Sequence, residues 1–142
     1  MATDHPNLDL DGAAAHDARA AVDRLIAELQ AGWDSHDADV TNRHFAGDIV
    51  WGSPFGATVR GYDQLHAIHI RLKQKGRGGR ASRFELVEMV TPADGVAVAQ
   101  IRRVALDDDG FSEMALYVLA RRDDTWWVAA GQNTPVREAP TD

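Results

Sequence analysis

The C-terminal half of the chain contains four segments with strand composition, and the short distances between them constrain the fold most strongly. The four segments are rich in β-branched and aromatic residues and cover 82–91, 96–106, 113–122 and 126–134. Turn-forming sequences separate them, at 92–95, 107–110 and 123–125. Because a parallel return needs about a dozen residues or more, connections this short predict an antiparallel meander.

The N-terminal half shows helical periodicity instead. Asp37 is placed to cap a short second helix that ends at about residue 45, and short strands are predicted at 49–53 and 57–60. A third helix follows Gly61 and carries His69 in its apolar stripe. The first helix has apolar residues every three or four positions, at Ala18, Val22, Leu25, Ile26, Leu29 and Trp33. This order predicts an α+β fold in which three N-terminal helices pack in a curved antiparallel sheet.

Alternation along the strands predicts which residues share a face. In the segment 96–106, Gln100 interrupts a row of valines, so it either lines a pocket or lies in an interface between two copies. In the last segment, simple alternation places Gln132 on the face of Trp126 and Asn133 on the face of Trp127. The face that the helices leave uncovered still carries apolar residues, which indicates a homodimer formed through the sheet.

Length and composition fit one domain. The 142 residues are divided into a tail at 1–12, a single domain at 13–136 and a second tail at 137–142. There is no cysteine, which excludes disulfides and thiolate chemistry, and the net charge of -7 opposes nucleic-acid binding. A basic stretch at 71–83 is interpreted as a solvated connection. Neither a secretory signal nor a membrane span is predicted, so we expect a cytoplasmic location.

Four short motifs stand in order around the predicted elements. They are Ala-Gly-Trp-Asp-Ser-His-Asp at 31–37, His-Phe-Ala-Gly-Asp at 44–48, Gly56 with Arg60-Gly61, and the terminal segment 126–136. Together they resemble the NTF2-like superfamily, which includes SnoaL-like and ketosteroid isomerase-like proteins, and in particular its SgcJ/EcaC (DUF4440) branch. The resemblance covers residues 13–136. It implies a cystatin-like cone, a central ligand-binding pocket and a homodimer, but it leaves the chemistry open.

The residues of a typical ketosteroid isomerase are not present. The family's general base is an Asp directly before a Pro, and the corresponding pair here is Ser53-Pro54. A serine hydroxyl cannot take a proton from carbon unaided at neutral pH. Leu25 stands where the family has a tyrosine donor, and only Glu113 offers an acid on the late strand. We therefore do not expect the familiar isomerase mechanism.

His69 and Asp48 are the candidate catalytic residues. Imidazole titrates near neutral pH, so His69 is a candidate general base or acid, although a buried histidine bonded to backbone is the structural alternative. Asp48 either projects a carboxylate into the pocket or caps a turn. His66 lies one helical turn before His69, but the pair lacks a third ligand nearby in sequence, so no metal is predicted.

Ligand-binding candidates are aromatic or polar. Gln132 and Asn133 are candidates to orient a ligand oxygen, or alternatively tie the strand to neighbouring backbone. The candidate binding set is Trp33, Trp51, Phe55, His66, Gln100, Tyr117, Gln132 and Asn133.

Two functions remain open. The first is a protein that binds a hydrophobic, polyketide-like or aromatic small molecule, with cofactor-independent isomerisation, cyclisation or dehydration as its chemistry. The second is a non-catalytic dimeric module for ligand binding or association.

Overall fold

The computed structural model describes residues 4–74, 81–107 and 110–136. The C-terminal tail and much of the basic stretch lie outside the described residues. The elements in chain order are α1 (Gly12–Ser35), α2 (Ala38–Thr41), β1 (Phe45–Gly52), β2 (Thr58–Arg60), α3 (Tyr62–Gln74), β3 (Ser82–Ala93), β4 (Val96–Ala105), β5 (Glu113–Arg122) and β6 (Thr125–Pro135). The three helices therefore precede the long strands, and the predicted α+β organisation is confirmed.

One sheet contains all the described strands, in the order β2-β1-β6-β5-β4-β3. Strands β3 to β6 form the predicted antiparallel meander. Strand β1, however, pairs with β6 in parallel, with Trp51 opposite Gly131. The sequence predicted an antiparallel sheet throughout; this one pair differs because a helix and four strands connect its members, a length that permits a parallel crossover. The sheet is curved and does not close.

The helices cover one side of this sheet. Helix α1 packs against β3 and β4, whereas α3 packs against β1 and β2. The predicted stripe of α1 is buried in the core, as Val22 and Leu29 illustrate. We call the covered side the helix side and the opposite side the outer face. On β4, Ala99 and Ile101 are buried on the helix side, while Gln100 is exposed on the outer face.

The second helix is shorter than predicted. Asp37 caps it as expected, since its carboxylate accepts a hydrogen bond from the Asp39 amide at 2.9 Å. The helix ends at Thr41 rather than near residue 45, and β1 begins at Phe45, four residues before the predicted start at 49. The reason is tertiary packing: Phe45 is buried and stacks on Trp51 with ring centroids 5.8 Å apart.

A bulge in β6 changes which residues share a face. Val118 pairs with Ala130, yet its neighbour Leu119 pairs with Val128, so Ala129 is an extra residue. The simple alternation predicted from sequence is therefore wrong beyond this point. Asn133 lies on the same side as the buried Trp126, and Gln132 on the outer face.

The segment before α1 makes specific contacts with β3. The Leu10 amide donates to the Thr91 carbonyl at 2.9 Å, and the Thr91 amide donates to the Asp9 carboxylate at 2.8 Å. The sequence gives no signal for these contacts and predicted a tail through residue 12. They hold the chain against the sheet just ahead of the helix.

Candidate functional site

A chain of hydrogen bonds joins both histidines of α3 to α2. His69 Nδ1 lies 3.0 Å from Asn42 Oδ1, and Asn42 Nδ2 lies 3.0 Å from His66 Nδ1. His66 Nε2 in turn lies 2.7 Å from the carboxylate of Asp39. The spacing of three residues places both imidazoles towards the C-terminus of α2. Asn42, the C-cap residue of α2, is fully buried between them.

When both imidazoles are neutral, the polarity of this chain determines their tautomers. The Asp39 carboxylate only accepts, so His66 carries its proton on Nε2 and its Nδ1 accepts from the Asn42 amide. The Asn42 carbonyl oxygen must then accept a proton held on His69 Nδ1. His69 Nε2 is left with a free lone pair, and it makes no hydrogen bond to the described residues.

Burial keeps His69 neutral. Its ring packs edge-on against Phe45 and Trp51, with centroids 6.4 and 6.0 Å away. Burial lowers the pKa of His69 from 6.5 to about 4, and the positive charge of Lys73, together with that of His66 when it is protonated, contributes in the same direction. At neutral pH the exposed edge of this imidazole is therefore a hydrogen-bond acceptor.

Trp51 links His69 to the sheet. Its ring lies over Gly131, so close that a Cβ on Gly131 would come within 2.3 Å of the indole. The Tyr117 ring is 5.8 Å from the Trp51 ring, and Tyr117 pairs directly with Gly131. Gly131 thus makes room for Trp51, whose ring contacts both His69 and Tyr117 and joins them in one aromatic cluster.

Tyr117 presents a hydroxyl that stays protonated. Burial raises the pKa of the Tyr117 phenol, the nearby Glu113 carboxylate raises it further, and Arg103 opposes the rise in part. The hydroxyl makes no hydrogen bond to the residues that the structure describes. It is available as a donor on the helix side of the sheet.

A second polar cluster lies on the same side of the sheet, two cross-strand rows away from Tyr117. The Arg103 guanidinium donates to Glu113 Oε1 at 2.6 and 3.1 Å and to Ser82 Oγ at 3.0 Å. Glu113 Oε2 accepts from Asn133 Nδ2 at 3.0 Å. The guanidinium also covers the face of the Trp33 ring, 4.4 Å from its centroid. Arg103 and Glu113 are thus a buried ion pair whose hydrogen bonds are used within the protein.

The remaining predicted residues lie elsewhere. Asp48 is exposed and flanks the buried Ile49 on the other side of β1. Phe55 is 90% exposed at the turn between β1 and β2. Gln100 and Gln132 occupy one cross-strand row of the outer face, on either side of Leu116. Of the predicted set, the structure brings together His66, His69, Trp51, Tyr117, Asn133 and Trp33 on the helix side.

Two open depressions are lined by described residues, and His69 lines neither. One, of about 220 Å³, lies on the outer face between β1, β5 and β6. The other, of about 380 Å³, lies between the end of α1, α2 and α3, and its lining includes Asp39 and Lys73.

Sequence reasoning did not include Asn42, Arg103 or Asp39 among the candidate site residues. Two histidines within a largely apolar stripe indicate that polar partners must be supplied by another element, but not which one. Within the described segments, no three acidic or histidine side chains lie close enough together to ligate a metal. No helix among those segments is both long and apolar enough to cross a membrane.

Comparisons with known proteins agree on the fold. No protein-family model matches the sequence, and no curated protein matches it either. An uncharacterised protein with a cystatin-like fold from Caulobacter vibrioides is similar in structure at 22% identity, a TM-score of 0.70, and coverage of 85% of this chain and 91% of the other. An NTF-2 like protein of unknown function from Shewanella oneidensis is similar at 14% identity and a TM-score of 0.66, with coverage of 82% of this chain and 98% of the other. A ketosteroid isomerase-like protein from Erwinia carotovora atroseptica is similar at 12% identity and a TM-score of 0.66, with coverage of 84% of this chain and 96% of the other.

At these identities the likeness defines the fold alone. The chain has the NTF2-like, or cystatin-like, fold: three helices packed on a curved, unclosed six-stranded sheet. The same fold carries many unrelated functions, so function has to be argued from the side chains on its helix side.

Proposed function

We propose that this protein binds a hydrophobic, polyketide-like or aromatic small molecule on the helix side of the sheet and moves a proton on it with His69. The observation that carries the proposal is the contact of one indole with two complementary groups. Trp51 touches both His69, whose Nε2 accepts, and Tyr117, whose hydroxyl donates. Apolar walls with a few convergent polar groups are the usual construction of a small-molecule site.

The chemistry follows from these two groups. His69 Nε2 takes a proton from a carbon next to a ligand carbonyl, and the electrons of the broken C–H bond form an enolate. The Tyr117 hydroxyl donates a hydrogen bond to the enolate oxygen. In a ligand with a C=C bond next to this carbon, return of the proton to the far carbon of the dienolate completes an isomerisation. Attack of the enolate carbon on a second carbonyl, whose oxygen takes the proton back from His69, gives a cyclisation. Neither reaction consumes a cofactor.

The low pKa of His69 restricts the substrate. A base whose conjugate acid has a pKa of about 4 is weak, so it suits only a carbon acid that is already acidic. A carbon between two carbonyls, the repeating unit of polyketide-like compounds, meets this requirement. Asn42, His66 and Asp39 act as positioning residues, since they hold His69 in the tautomer with Nε2 free.

Enolisation of an aromatic 1,3-diketone tests the proposal. We expect the wild-type protein to accelerate keto–enol interconversion of 2-acetyl-1-tetralone, followed by ultraviolet absorbance, and His69→Gln to lower the rate by about a hundredfold. His16→Gln, at an exposed position of α1, is the matched control and should retain full activity. Equal rates for wild type and His69→Gln, with both variants folded, would remove His69 from the mechanism.

A non-catalytic ligand-binding module is the second candidate, and the weakness of His69 as a base favours it. In that case His69 Nε2 accepts a hydrogen bond from the ligand without taking its proton. Saturable binding of 2-acetyl-1-tetralone without any acceleration of its enolisation would decide for this candidate. The resemblance of the four sequence motifs to the SgcJ/EcaC branch is compatible with both, as is a cytoplasmic location.

We further propose that two copies associate through the outer face, as the sequence predicted. This face carries exposed apolar side chains, among them Val50, Val90 and Leu116, which are 41%, 39% and 42% exposed. An apolar surface of this kind is typical of a face that packs against another protein surface. Gln100 and Gln132 flank Leu116 in one row and offer amide hydrogen bonds across a two-fold axis.

Mass measurement by light scattering tests the dimer. Leu116→Glu should convert a dimer into a monomer, because it buries a charge in the interface. Leu72→Glu, at a similarly exposed leucine on α3, should leave the dimer intact. A wild-type protein that is monomeric at high concentration would contradict the proposal.

A further inference from the structure

Asn133 has one hydrogen-bonding atom that the described residues leave unused. Its Nδ2 donates to Glu113 Oε2 at 3.0 Å, while its Oδ1 is buried and has no hydrogen-bond partner in the part of the chain that the structure describes. Buried side-chain oxygens almost always accept a hydrogen bond. This acceptor is therefore available to a donor group on a bound ligand.

The orientation of this amide is fixed by its neighbour. The Glu113 carboxylate is held by Arg103 through bonds of 2.6 and 3.1 Å, and a carboxylate only accepts. The NH2 group of Asn133 must face Glu113, because the reversed amide would point oxygen at oxygen. The unused atom is consequently the oxygen, so the site lacks a donor and not an acceptor.

The position of Asn133 places this oxygen with the groups of the candidate site. Asn133 pairs with Ala115, and Tyr117 pairs with Gly131, so Asn133 and Tyr117 are diagonal neighbours on the helix side. Trp51 lies over Gly131, between this pair and α3. The Oδ1 atom therefore borders the same aromatic cluster as the Tyr117 hydroxyl.

Arg103 does not act as the receptor for an anionic ligand in this arrangement. Its Nε and both terminal nitrogens are hydrogen-bonded to Glu113 and Ser82. A ligand carboxylate would meet the Glu113 carboxylate, which already pairs with the guanidinium, and the acceptor oxygen of Asn133. The polar contacts thus disfavour anions as well as ligands that have only acceptors at this end.

We propose that Asn133 Oδ1 accepts a hydrogen bond from an O–H or N–H group of the ligand and so determines specificity for hydroxylated aromatic compounds, such as phenols and enols. The inference rests on the proposed binding function and adds a requirement to it. The ligand carries a carbonyl for the Tyr117 hydroxyl and a donor for Asn133. A compound with a methyl group in place of the donor leaves the buried oxygen unsatisfied and binds more weakly.

A matched pair of ligands tests the requirement by titration calorimetry. We expect wild-type protein to bind 6-hydroxy-1-tetralone about tenfold more tightly than 6-methyl-1-tetralone, a compound of similar size without the donor. In Asn133→Leu the ratio should fall to about one. Thr134→Val, at the other position adjacent to Asn133 and exposed on the outer face, should keep the wild-type ratio. Asn133→Ser, which also withdraws the amide oxygen, replaces Asn133→Leu if the leucine variant does not fold.

The outcomes separate the two proposals. Equal affinity of wild type for both tetralones overturns the role of Asn133 and leaves the binding function standing. A preference that persists in both Asn133 variants likewise overturns it. If neither tetralone nor 2-acetyl-1-tetralone binds to folded wild-type protein, the proposed function fails, and the specificity inference fails with it.

Discussion

Replacing His69 with glutamine should remove part of the protein's acid sensitivity. The folded protein holds the pKa of His69 at about 4, below its ordinary value of 6.5, chiefly through burial. Between these two values the unfolded chain binds a proton at this residue and the folded protein does not. The contribution of His69 to the free energy of unfolding is therefore fully present above about pH 6.5 and is lost as the pH falls towards 4.

The magnitude follows from linkage. Between about pH 7.5 and pH 5 the group contributes a loss of about 2 kcal/mol in the free energy of unfolding, because the unfolded imidazole is then mostly charged. Glutamine does not titrate, and its amide NH2 can still donate to the Asn42 oxygen. The free-energy difference between wild type and His69→Gln should accordingly change by about 2 kcal/mol, in favour of the variant, over this interval.

Urea unfolding at a series of pH values measures this difference. Taking the difference cancels the carboxylates that titrate in both proteins, and His16→Gln is the control because its side chain is exposed on α1. The control should differ from wild type by an amount that does not vary with pH, within about 0.5 kcal/mol. A His69→Gln difference that is equally constant would show that His69 titrates normally, and the reasoning from its burial would be refuted.

Three further substitutions test the surrounding contacts. Asn42→Leu removes the buried amide that joins the two histidines and should cost about 2–4 kcal/mol of stability by urea unfolding, since it leaves two imidazole nitrogens without a partner. Tyr117→Phe should change stability by less than about 1 kcal/mol, because the hydroxyl has no partner to lose, but should slow enolisation of 2-acetyl-1-tetralone about tenfold or more. Gly131→Ala places a methyl group against the Trp51 ring and should cost about 1–3 kcal/mol, whereas Gly47→Ala, which meets nothing within 4 Å, should cost little. A large loss in the Gly47 variant or none in the Gly131 variant would contradict the close approach of the indole.

The antiparallel meander is predictable because its information is local. A few consecutive residues specify each turn between the long strands, and the short length of the turn determines that the next strand runs antiparallel. The parallel pairing of β1 with β6 has no such local signal, since its partners are far apart in sequence. Likewise, Phe45 begins a strand because Trp51 is there to stack on it, a fact of tertiary packing.

The candidate site was only partly predictable for a related reason. His69 is recognisable as a polar residue in an apolar stripe, but its partner Asn42 is supplied by another element. The bulge at Ala129 reverses the alternation of β6, so the sequence pattern placed Gln132 and Asn133 on the wrong faces relative to Trp126. A single inserted residue leaves little trace in composition, yet it decides that Asn133 and not Gln132 faces the helices.

The proposed site depends above all on a neutral His69 whose Nε2 is free to accept a proton. Nitrogen-15 NMR of the imidazoles reports both the tautomer and the titration of each histidine. We expect His69 to remain mostly neutral, with its proton on Nδ1, from neutral pH down to about pH 5, and its Nε2 resonance to move when 2-acetyl-1-tetralone is added. A His69 that titrates near 6.5, or that carries its proton on Nε2, would contradict this expectation.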